Sequence, residues 1–391
     1  MLLAIGLAGQ VAGQVKEPVK LSGQATIGLV TCNPSEGAVF LVYGHTAIRV
    51  QDPAQGIDVA FNYGIFNFDG PGFVYRFTKG ETDYRLAITG LDYLVWESSM
   101  MGRGVREQVL NLTAAEKQAL WDALVWNAQP QNATYRYNFF FDNCATRPAA
   151  IIEKHIGGKV VYRHTSTPQT FRQLINYCMR NKPWAIFGTE LALGSPTDRL
   201  ATSREEFFLP LYLEKAFDKA VIINPDGSER PLVLQTGVLL EDAPQEIGET
   251  WLTPLLCSLL LLAAILFATF WERRRKVYCR WADYFLFAAA GLSGCLIFFL
   301  AFVSEHPATW PNWVIFWLHP FHLVGVWLFA VKKWKKAATV YHFLNLLLLT
   351  GLLAGWYFIP QHFNPAFLPL IAALWIRSLF SITNYGLRIT K

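Results

Sequence analysis

The chain has 391 residues, of which 53% are hydrophobic and only 16% are charged, and its formal net charge is +5. About a quarter of the residues of a typical soluble protein are charged, so this composition indicates that part of the chain lies in lipid. The positive charge comes from basic loops in the second half, and no stripe of basic and aromatic residues accompanies it. A nucleic-acid partner is therefore not expected.

The first residues, MLLAIGLAGQVAGQ, combine an apolar core with small side chains but have no basic start. This pattern predicts that residues 1–20 form a short signal segment for export, with a buried N-terminal segment as the alternative. Residues 21–245 mix polar and apolar positions, which predicts an extracytoplasmic domain. Residues 251–385 consist of apolar blocks, which predict a membrane region.

Within the exported part, two alternating apolar runs flank the turn at Asp52-Pro53 and predict a hairpin whose second strand covers residues 57–63. The runs FVYRFT and DYRLAIT predict another strand pair around residues 79–80. The segment TAAEKQALWDALVWN opens with a T-x-x-E capping box, which predicts a helix.

Further along, the aromatic run from Tyr135 to Phe141 predicts a strand, and a helix is expected to begin near Cys144. The stretch AVIINPDGSERPLVL predicts a later hairpin, and EDAPQEIGE predicts a polar linker. These elements together predict an α+β domain, in which helices pack against an antiparallel sheet.

Five apolar blocks follow, and they predict five membrane crossings. The blocks cover about residues 251–271, 281–303, 313–331, 340–359 and 366–380. Basic residues follow the first, third and fifth blocks, whereas the alternate loops have none, which places residues 1–250 outside and the C-terminus in the cytoplasm. His319 and His322 in the third block are candidate ligands or proton carriers, with interhelical hydrogen bonds as the alternative.

Three cysteines, Cys32, Cys144 and Cys178, lie in the predicted exported domain, where thiols tend to oxidise. Because three is odd, at most one pair can form, and a Cys32–Cys178 disulfide is expected. At a helix start, unpaired backbone N–H groups and the helix dipole favour a thiolate, so Cys144 is the candidate nucleophile. The same N–H groups are suited to hold an oxyanion.

A thiol nucleophile needs a base, and three histidines lie outside the membrane blocks. His155 is about three turns along the helix after Cys144, too far to reach it, and His164 lies in a polar loop. His45 begins a strand in YGHTAIRV and is therefore the candidate base.

A third group is expected to orient the imidazole. The hairpin places residues near 62–64 opposite His45, so Asn62 is the candidate and Asp58, on the same face, is the alternative. Each of the three residues also has an inert interpretation: Cys144 as a buried thiol, His45 as a core group and Asn62 as part of a turn.

Four further residues near these positions are candidate substrate-binding groups, with a purely structural role as the alternative. They are Tyr63, Asp142, Asn143 and Arg147. No metal or other cofactor is expected.

GHTAIRV followed about a hundred residues later by NFFFDNCATR resembles the permuted NlpC/P60-type thiol enzymes, which are papain-like and include lecithin:retinol acyltransferase-like proteins. More closely, the chain resembles the DUF4105 family of Bacteroidota membrane proteins. That likeness includes LVTCNPSEG, FNYGIFNFDGPGFVYRFTKG, EQVLNLTAAEK, YRYNFFFDNCATR and GSPTDRLATSREEFFLP, and it covers most of residues 20–240. The resemblance implies Cys144 as nucleophile and His45 as base.

This resemblance further implies a lipoprotein N-acyltransferase of the bacterial inner membrane with its N-terminal domain in the periplasm. Such an enzyme moves a fatty acyl chain from a phospholipid, through a cysteine thioester, to the α-amine of a diacylated lipoprotein. The partners expected are thus the phospholipid donor, the lipoprotein acceptor and the membrane. The alternatives are a peptidoglycan peptidase or amidase on the same thiol fold, and a non-enzymatic membrane scaffold.

Overall fold

The computed structural model describes residues 19–66, 72–81, 83–163, 167–245, 247–248, 250–278 and 280–389. Most of the expected signal segment lies outside these residues, as do His164 and Cys279. The chain divides into two compact units. The first contains the described residues up to Phe77, Glu81–Gln169 and Leu200–Ile247, and the second contains Thr78–Gly80, Thr170–Arg199 and the described residues from Gly248.

The described residues of the first unit form a seven-stranded antiparallel sheet in the order β10-β5-β1-β2-β3-β4-β6 and a three-stranded sheet in the order β7-β8-β9. The strands are β1 (Thr26–Cys32), β2 (His45–Asp52), β3 (Ile57–Ile65), β4 (Asp83–Gly90), β5 (Val105–Leu110), β6 (Thr134–Arg136), β7 (Lys159–Tyr162), β8 (Ala220–Ile223), β9 (Glu229–Pro231) and β10 (Val233–Leu240).

The helices before residue 250 are α1 (Phe73–Lys79), α2 (Leu91–Met100), α3 (Ala114–Asn127), α4 (Thr146–Lys154), α5 (Phe171–Cys178), α6 (Pro183–Ala192) and α7 (Pro210–Asp218). Because side chains alternate along a strand, the large sheet has two apolar faces. On one face, Ile48 and Phe61 pack with Trp121 of α3. On the other face, Ala47 packs with Leu94 of α2. The predicted α+β class is confirmed.

The hairpin around Asp52 is confirmed, because β2 pairs with β3 in an antiparallel ladder. The helix predicted from the capping box is confirmed as α3, where Thr113 and Glu116 exchange side-chain and backbone hydrogen bonds. The later hairpin is also confirmed, since Ile223 of β8 pairs with Glu229 of β9.

One strand prediction is wrong, and another is confirmed only at Tyr135 and Arg136, which lie in β6. FVYRFT forms helix α1 instead of a strand, because Phe73 and Phe77, four residues apart, both place their rings against Phe66, at 5.1 and 6.5 Å between centroids. The aromatic run after β6 turns back at once, because the Asn138 side chain accepts the backbone N–H groups of Phe140 and Phe141. An asparagine that bonds to the backbone ahead of it competes with a strand ladder.

The expected Cys32–Cys178 disulfide is also wrong, because both residues are free thiols. Cys32 is fully buried in β1, where its Sγ atom accepts a hydrogen bond from the Ser98 hydroxyl of α2 at 3.5 Å. Its side chain therefore belongs to the packed interior beside α2.

The second unit contains helices α8 (Pro254–Arg275), α9 (Arg280–Phe302), α10 (Phe321–Ala330), α11 (Lys335–Ala354) and α12 (Phe367–Ile389). Among the described residues, four segments are long and apolar enough to cross a membrane: Pro254–Arg275, Arg280–Phe302, Trp313–Ala330 and Lys335–Ala354. Within α12, the apolar stretch Phe367–Thr383 is shorter than these four segments. The predicted apolar helical region is thus confirmed, and the count of five crossings stays a prediction.

The segment Thr170–Arg199, which precedes the predicted membrane region, belongs to this second unit. Buried Glu190 of α6 accepts hydrogen bonds from the side-chain amides of Asn176 and Asn364 at 2.7 and 2.6 Å. Asn312, which lies before the third span, donates to the carbonyl of Leu191 at 2.9 Å. Paired polar groups of this kind hold α6 to the apolar helices.

The third span is interrupted. A 3-10 helix covers Trp313–Phe316, and α10 begins only at Phe321 after Pro320. His322 donates from Nε2 to the Trp317 carbonyl at 3.0 Å and accepts at Nδ1 from the Tyr341 hydroxyl of α11 at 2.6 Å. An interrupted helix at membrane depth must satisfy its free backbone groups internally, and His322 does so here.

Three charged side chains are fully buried where α8, α9 and α12 meet. Arg377 donates to Asp283 at 2.6 Å and to Glu272 at 3.0 Å. The Asp283 carboxylate also accepts from the Tyr278 hydroxyl. Charges inside an apolar bundle persist only when they are paired, so this cluster links three helices through one guanidinium.

Gly294 of α9 permits the close approach of the interrupted span, because a Cβ atom there would lie 2.5–2.7 Å from backbone atoms of His319. We expect Gly294→Ala to destabilise the protein by about 1–3 kcal/mol, since backbone atoms cannot move aside as a flexible side chain would.

Gly351→Ala in α11 is the matched control, because in the described part of the chain nothing lies within 4 Å of its added methyl group. This change should be neutral or stabilising by up to about 1 kcal/mol, as alanine favours a helix interior. Thermal unfolding in detergent compares the two variants, and equal unfolding temperatures would contradict the packing argument.

Candidate active site

His45 is the first residue of β2 and follows Gly44, whose φ of 79° is in the left-handed region. A Cβ atom on Gly44 would lie 2.7 Å from the Cys32 carbonyl oxygen, so glycine is needed at this point. The ladder pairs Ala47 with Asn62, which puts His45 and Asn62 on the same face of the sheet. The His45 Nε2 and Asn62 Oδ1 atoms are 3.2 Å apart.

The hydrogen bonds of Asn62 determine which nitrogen of His45 is the acceptor. The Asn62 amide nitrogen donates to the carbonyl of Ala60 at 3.1 Å and to the hydroxyl of Thr89 at 2.9 Å. Its oxygen therefore faces His45, and Nε2 of the imidazole must carry the hydrogen. Nδ1 is left with the lone pair, which is the state a general base requires.

Cys144 lies two residues before the first residue of α4, in a turn organised by Asn143. The Asn143 side-chain oxygen accepts the backbone N–H groups of Ala145 and Thr146 at 2.8 and 2.9 Å. Its amide nitrogen donates to the carbonyls of Phe139 and Phe208, both at 2.8 Å. Both ends of this buried amide are bonded within the protein, so Asn143 fixes the helix start that carries the thiol.

The Cys144 turn packs directly against the hairpin that carries His45 and Asn62. Gly64 of β3 has a φ of 86°, and a Cβ atom there would lie 3.2 Å from the Cys144 Cβ atom. The backbone N–H of Thr46, the residue after His45, points to the Cys144 sulfur, as does the N–H of Cys144 itself. The sequence-predicted residues Cys144, His45 and Asn62 are thus brought to one end of the hairpin.

Burial raises the pKa of Cys144 to about 11. The N–H groups of Thr46 and Cys144 oppose this shift, and so does the charge of Arg103, but they do not outweigh it. The expectation that the helix start lowers the pKa of this thiol is therefore not met. The free-energy cost of burying the thiolate exceeds the stabilisation that the nearby N–H groups provide. Cys144 is therefore a thiol at neutral pH.

The pKa of His45 is lowered to about 4, first by burial and then by the positive charge of Arg103, while the hydrogen bond that His45 donates to Asn62 acts in the opposite direction. A histidine with a lowered pKa stays neutral at every pH above that value. His45 is consequently an unprotonated acceptor across the physiological range.

Aromatic rings surround the thiol. The ring of Tyr137 lies 3.7 Å from the position of a Cβ atom on Gly64, and it stacks on Tyr84 with ring centroids 4.0 Å apart. The ring of Tyr84 in turn packs against the ring of Phe66, with ring centroids 4.7 Å apart. These rings partly bury the Cys144 thiol, and burial raises its pKa.

Sequence analysis missed two residues of this region, Arg103 and Thr89. Arg103 follows α2 and is only 4% exposed, and its charge lowers the pKa of both Cys144 and His45. Thr89 lies on β4 and orients Asn62. Neither residue is in a motif with Cys144 or His45, so only the sheet pairing brings them together.

The other candidate residues lie elsewhere or are bonded within the protein. Tyr63 is buried on the opposite sheet face, where its hydroxyl accepts from Asn127 at 2.9 Å. Asp142 and Arg147 form an ion pair with each other, and Arg147 Nη2 also donates to Asp142 Oδ2 at 2.8 Å. Asp58 accepts two hydrogen bonds from Arg49, which makes it a partner of that arginine and not of His45. In the described part of the chain, no group of three His, Cys, Asp or Glu side chains is arranged to hold a metal.

Comparison with known families gives two matches. Residues 36–177 match the Lnb N-terminal periplasmic domain, and residues 246–386 match the Lnb transmembrane domain. These matches support a Lnb-type family and describe a membrane protein with a periplasmic N-terminal domain. No curated protein and no solved structure matches the chain.

The raised pKa of Cys144 predicts how its alkylation depends on pH. Because only the thiolate reacts, the rate of Cys144 alkylation by iodoacetamide should rise by roughly tenfold per pH unit from pH 7 to 10. Mass spectrometry of the Cys144 peptide measures this rate, with the Cys178 peptide as an internal reference. A plateau near neutral pH would show a thiolate–imidazolium pair and contradict the neutral state described above.

Proposed function

We propose, on the premise of a Lnb-type family, that this chain is a membrane-bound acyltransferase that carries a fatty acyl group on Cys144. The donor is a phospholipid, and the acceptor is the α-amine of a diacylglyceryl-cysteine lipoprotein. The observation that carries the proposal is the arrangement of the thiol at a capped helix start against the His45–Asn62 pair.

The first half-reaction transfers the acyl group to the protein. His45 takes the thiol proton at Nδ1 as the Cys144 sulfur attacks the acyl carbonyl carbon. An S–C bond forms and the ester C–O bond to glycerol breaks. His45 then gives its proton to the departing glycerol oxygen, which releases a lysophospholipid.

In the second half-reaction, the lipoprotein amine attacks the thioester. The new C–N bond replaces the C–S bond, His45 accepts a proton from the amine, and that proton returns to the sulfur. The same two residues therefore serve both steps, and the thiol is restored.

The state of the resting site suits this scheme. Cys144 is a neutral thiol and His45 a neutral base, so no charge needs to be stored before the substrate arrives. Negative charge appears on the carbonyl oxygen only during the reaction. The backbone N–H groups of Thr46 and Cys144, which point to the sulfur, are the donors available to stabilise it.

Exposed apolar residues beside the site favour a lipid substrate. The 3-10 helix Val39–Tyr43 ends just before Gly44, and its Phe40 is 60% exposed. Helix α1 has no buried residue, and its Val74 is 73% exposed. Exposed apolar patches typically mark a binding site or membrane contact. A peptide cleft would need polar groups in these places.

The central test removes each reacting group. We expect Cys144→Ala to abolish N-acylation and His45→Ala to lower its rate by about 10²–10⁴-fold, because proton transfer then falls to water. Mass spectrometry of a lipoprotein N-terminus from cells that depend on each variant is the measurement. Thermal unfolding shows whether the variants remain folded. A fully triacylated lipoprotein in the Cys144→Ala strain would refute the proposal.

Asn62→Ala tests the positioning role. Without the acceptor at Nε2, the imidazole loses its tautomer and orientation, so kcat should fall by about ten- to a hundredfold with little change in KM. Thr89→Val should give a smaller decrease, while the conservative Thr89→Ser should restore the rate. A rise in KM at constant kcat would instead indicate that Asn62 contacts substrate.

A further inference from the structure

Arg103 is a buried cation whose bonding within the protein is incomplete. The residue is 4% exposed, and its Nε–H finds no acceptor among the described residues. The nearest carboxylate is that of Glu97, at 3.7 Å from Nη2, which exceeds hydrogen-bond length. A guanidinium has five N–H donors, and leaving them unpaired in a low-dielectric interior is costly.

Its location is fixed by a short series of contacts that leads to the reacting groups. The Arg103 backbone N–H donates to the Ser98 carbonyl at 3.1 Å, and the Ser98 hydroxyl donates to the Cys32 sulfur at 3.5 Å. Cys32 is the cross-strand partner of His45 in the β1–β2 ladder. Arg103 therefore lies on the same side of the sheet as His45.

Three uncharged groups and one partly exposed carboxylate lie around Arg103. Burial raises the pKa of the Cys32 and Cys144 thiols and lowers that of His45, so all three are uncharged at neutral pH. Glu97 is partly exposed, and its ion pair with Arg103 is long, at 3.7 Å. The Nε–H donor of Arg103 thus remains available to an anion that reaches it.

We propose that Arg103 binds the phosphodiester of the phospholipid whose acyl ester reacts with Cys144. The inference rests on the proposed function, because it names the group by which the donor is recognised. In a phospholipid, the phosphodiester and the acyl esters are attached to one glycerol, so a cation close to the thiol suits that substrate. Arginine binds phosphate oxygens through two parallel N–H donors.

A surface feature of α2 agrees with this assignment. Trp96 and Met100 are 56% and 71% exposed, and they are four residues apart, so they share one face of the helix. Glu97, the neighbour of Arg103, lies between them in sequence. A basic group beside exposed apolar side chains matches the boundary between a lipid head group and its acyl chains.

The test measures lipid binding without requiring turnover. The full chain in detergent micelles is alkylated at Cys144 in the presence of a dialkyl ether analogue of phosphatidylglycerol or of a dialkylglycerol, neither of which can donate an acyl group. Each rate is divided by the lipid-free rate of the same variant. Arg103→Gln should weaken protection by the phospholipid by about 10- to 100-fold and protection by the uncharged lipid by less than threefold.

Control variants define the alternatives. Arg103→Lys should recover part of the loss, because it keeps the charge but not the paired donors. Arg163→Gln removes an exposed arginine that pairs with Glu229. This variant should leave the protection of Cys144 by both lipids unchanged. Glu97→Gln removes the competing carboxylate and should tighten binding of the phospholipid severalfold, which keeps the proposal testable even if Arg103→Gln fails to fold.

Three results would overturn the inference. They are equal loss of protection by the two lipids in Arg103→Gln, an unchanged phospholipid affinity in Glu97→Gln, and protection by inorganic phosphate alone, which would indicate a free-phosphate site. Thioester formation on wild-type Cys144 from ordinary phosphatidylglycerol is measured separately by mass spectrometry. Failure of that reaction would refute the acyltransferase proposal while leaving the binding result intact.

Discussion

The candidate site depends on the register of the β2–β3 hairpin. Because side chains alternate between the two faces of a sheet, a shift of one residue would place His45 and Asn62 on opposite sides. The pairing of Ala47 with Asn62 prevents this. Near the end of β3, the absence of a side chain at Gly64 lets the Cys144 turn approach. A single hairpin thus positions the base, its orienting amide and the surface against which the thiol packs.

Burial determines the electrostatic state of these groups more than local dipoles do. A helix start favours a thiolate, but burial raises the pKa of the partly buried Cys144 thiol. The same burial keeps His45 neutral. The resting site therefore holds two uncharged groups beside one buried arginine, an arrangement suited to charge that develops during a reaction and not to a preformed ion pair. Arg103 is a buried cation whose charge acts on both Cys144 and His45.

The second unit follows the rule that polar groups inside an apolar bundle must be paired. Arg377 satisfies Asp283 and Glu272, and His322 satisfies both the Trp317 carbonyl and the Tyr341 hydroxyl. The glycine at position 294 allows backbone to meet backbone where the third span is interrupted. Small residues and hydrogen-bonded polar residues thus give the helices specific contacts that a uniformly apolar surface would not provide.

The sequence by itself determined the elements whose signals are local. The capping box at Thr113, the turn at Asp52 and the apolar blocks each depend on residues within a few positions, and the structure confirms the helix, the hairpin and the apolar helical region. Local patterns failed where neighbours in space compete with them. Ring contacts with Phe66 stabilise the helical conformation of α1. The Asn138 side chain bonds to the backbone and turns the chain where aromatic residues favoured a strand.

For the candidate site, sequence reasoning named Cys144, His45 and Asn62, since residue type, position in an element and hairpin counting are all available from the sequence. Only the tertiary structure added Thr89 and Arg103, excluded Asp58 as the orienting residue and reversed the expected pKa shift of the thiol. The physical reason is that desolvation and cross-strand contact are properties of the packed chain. They depend on which distant residues surround a group, and no local pattern records that.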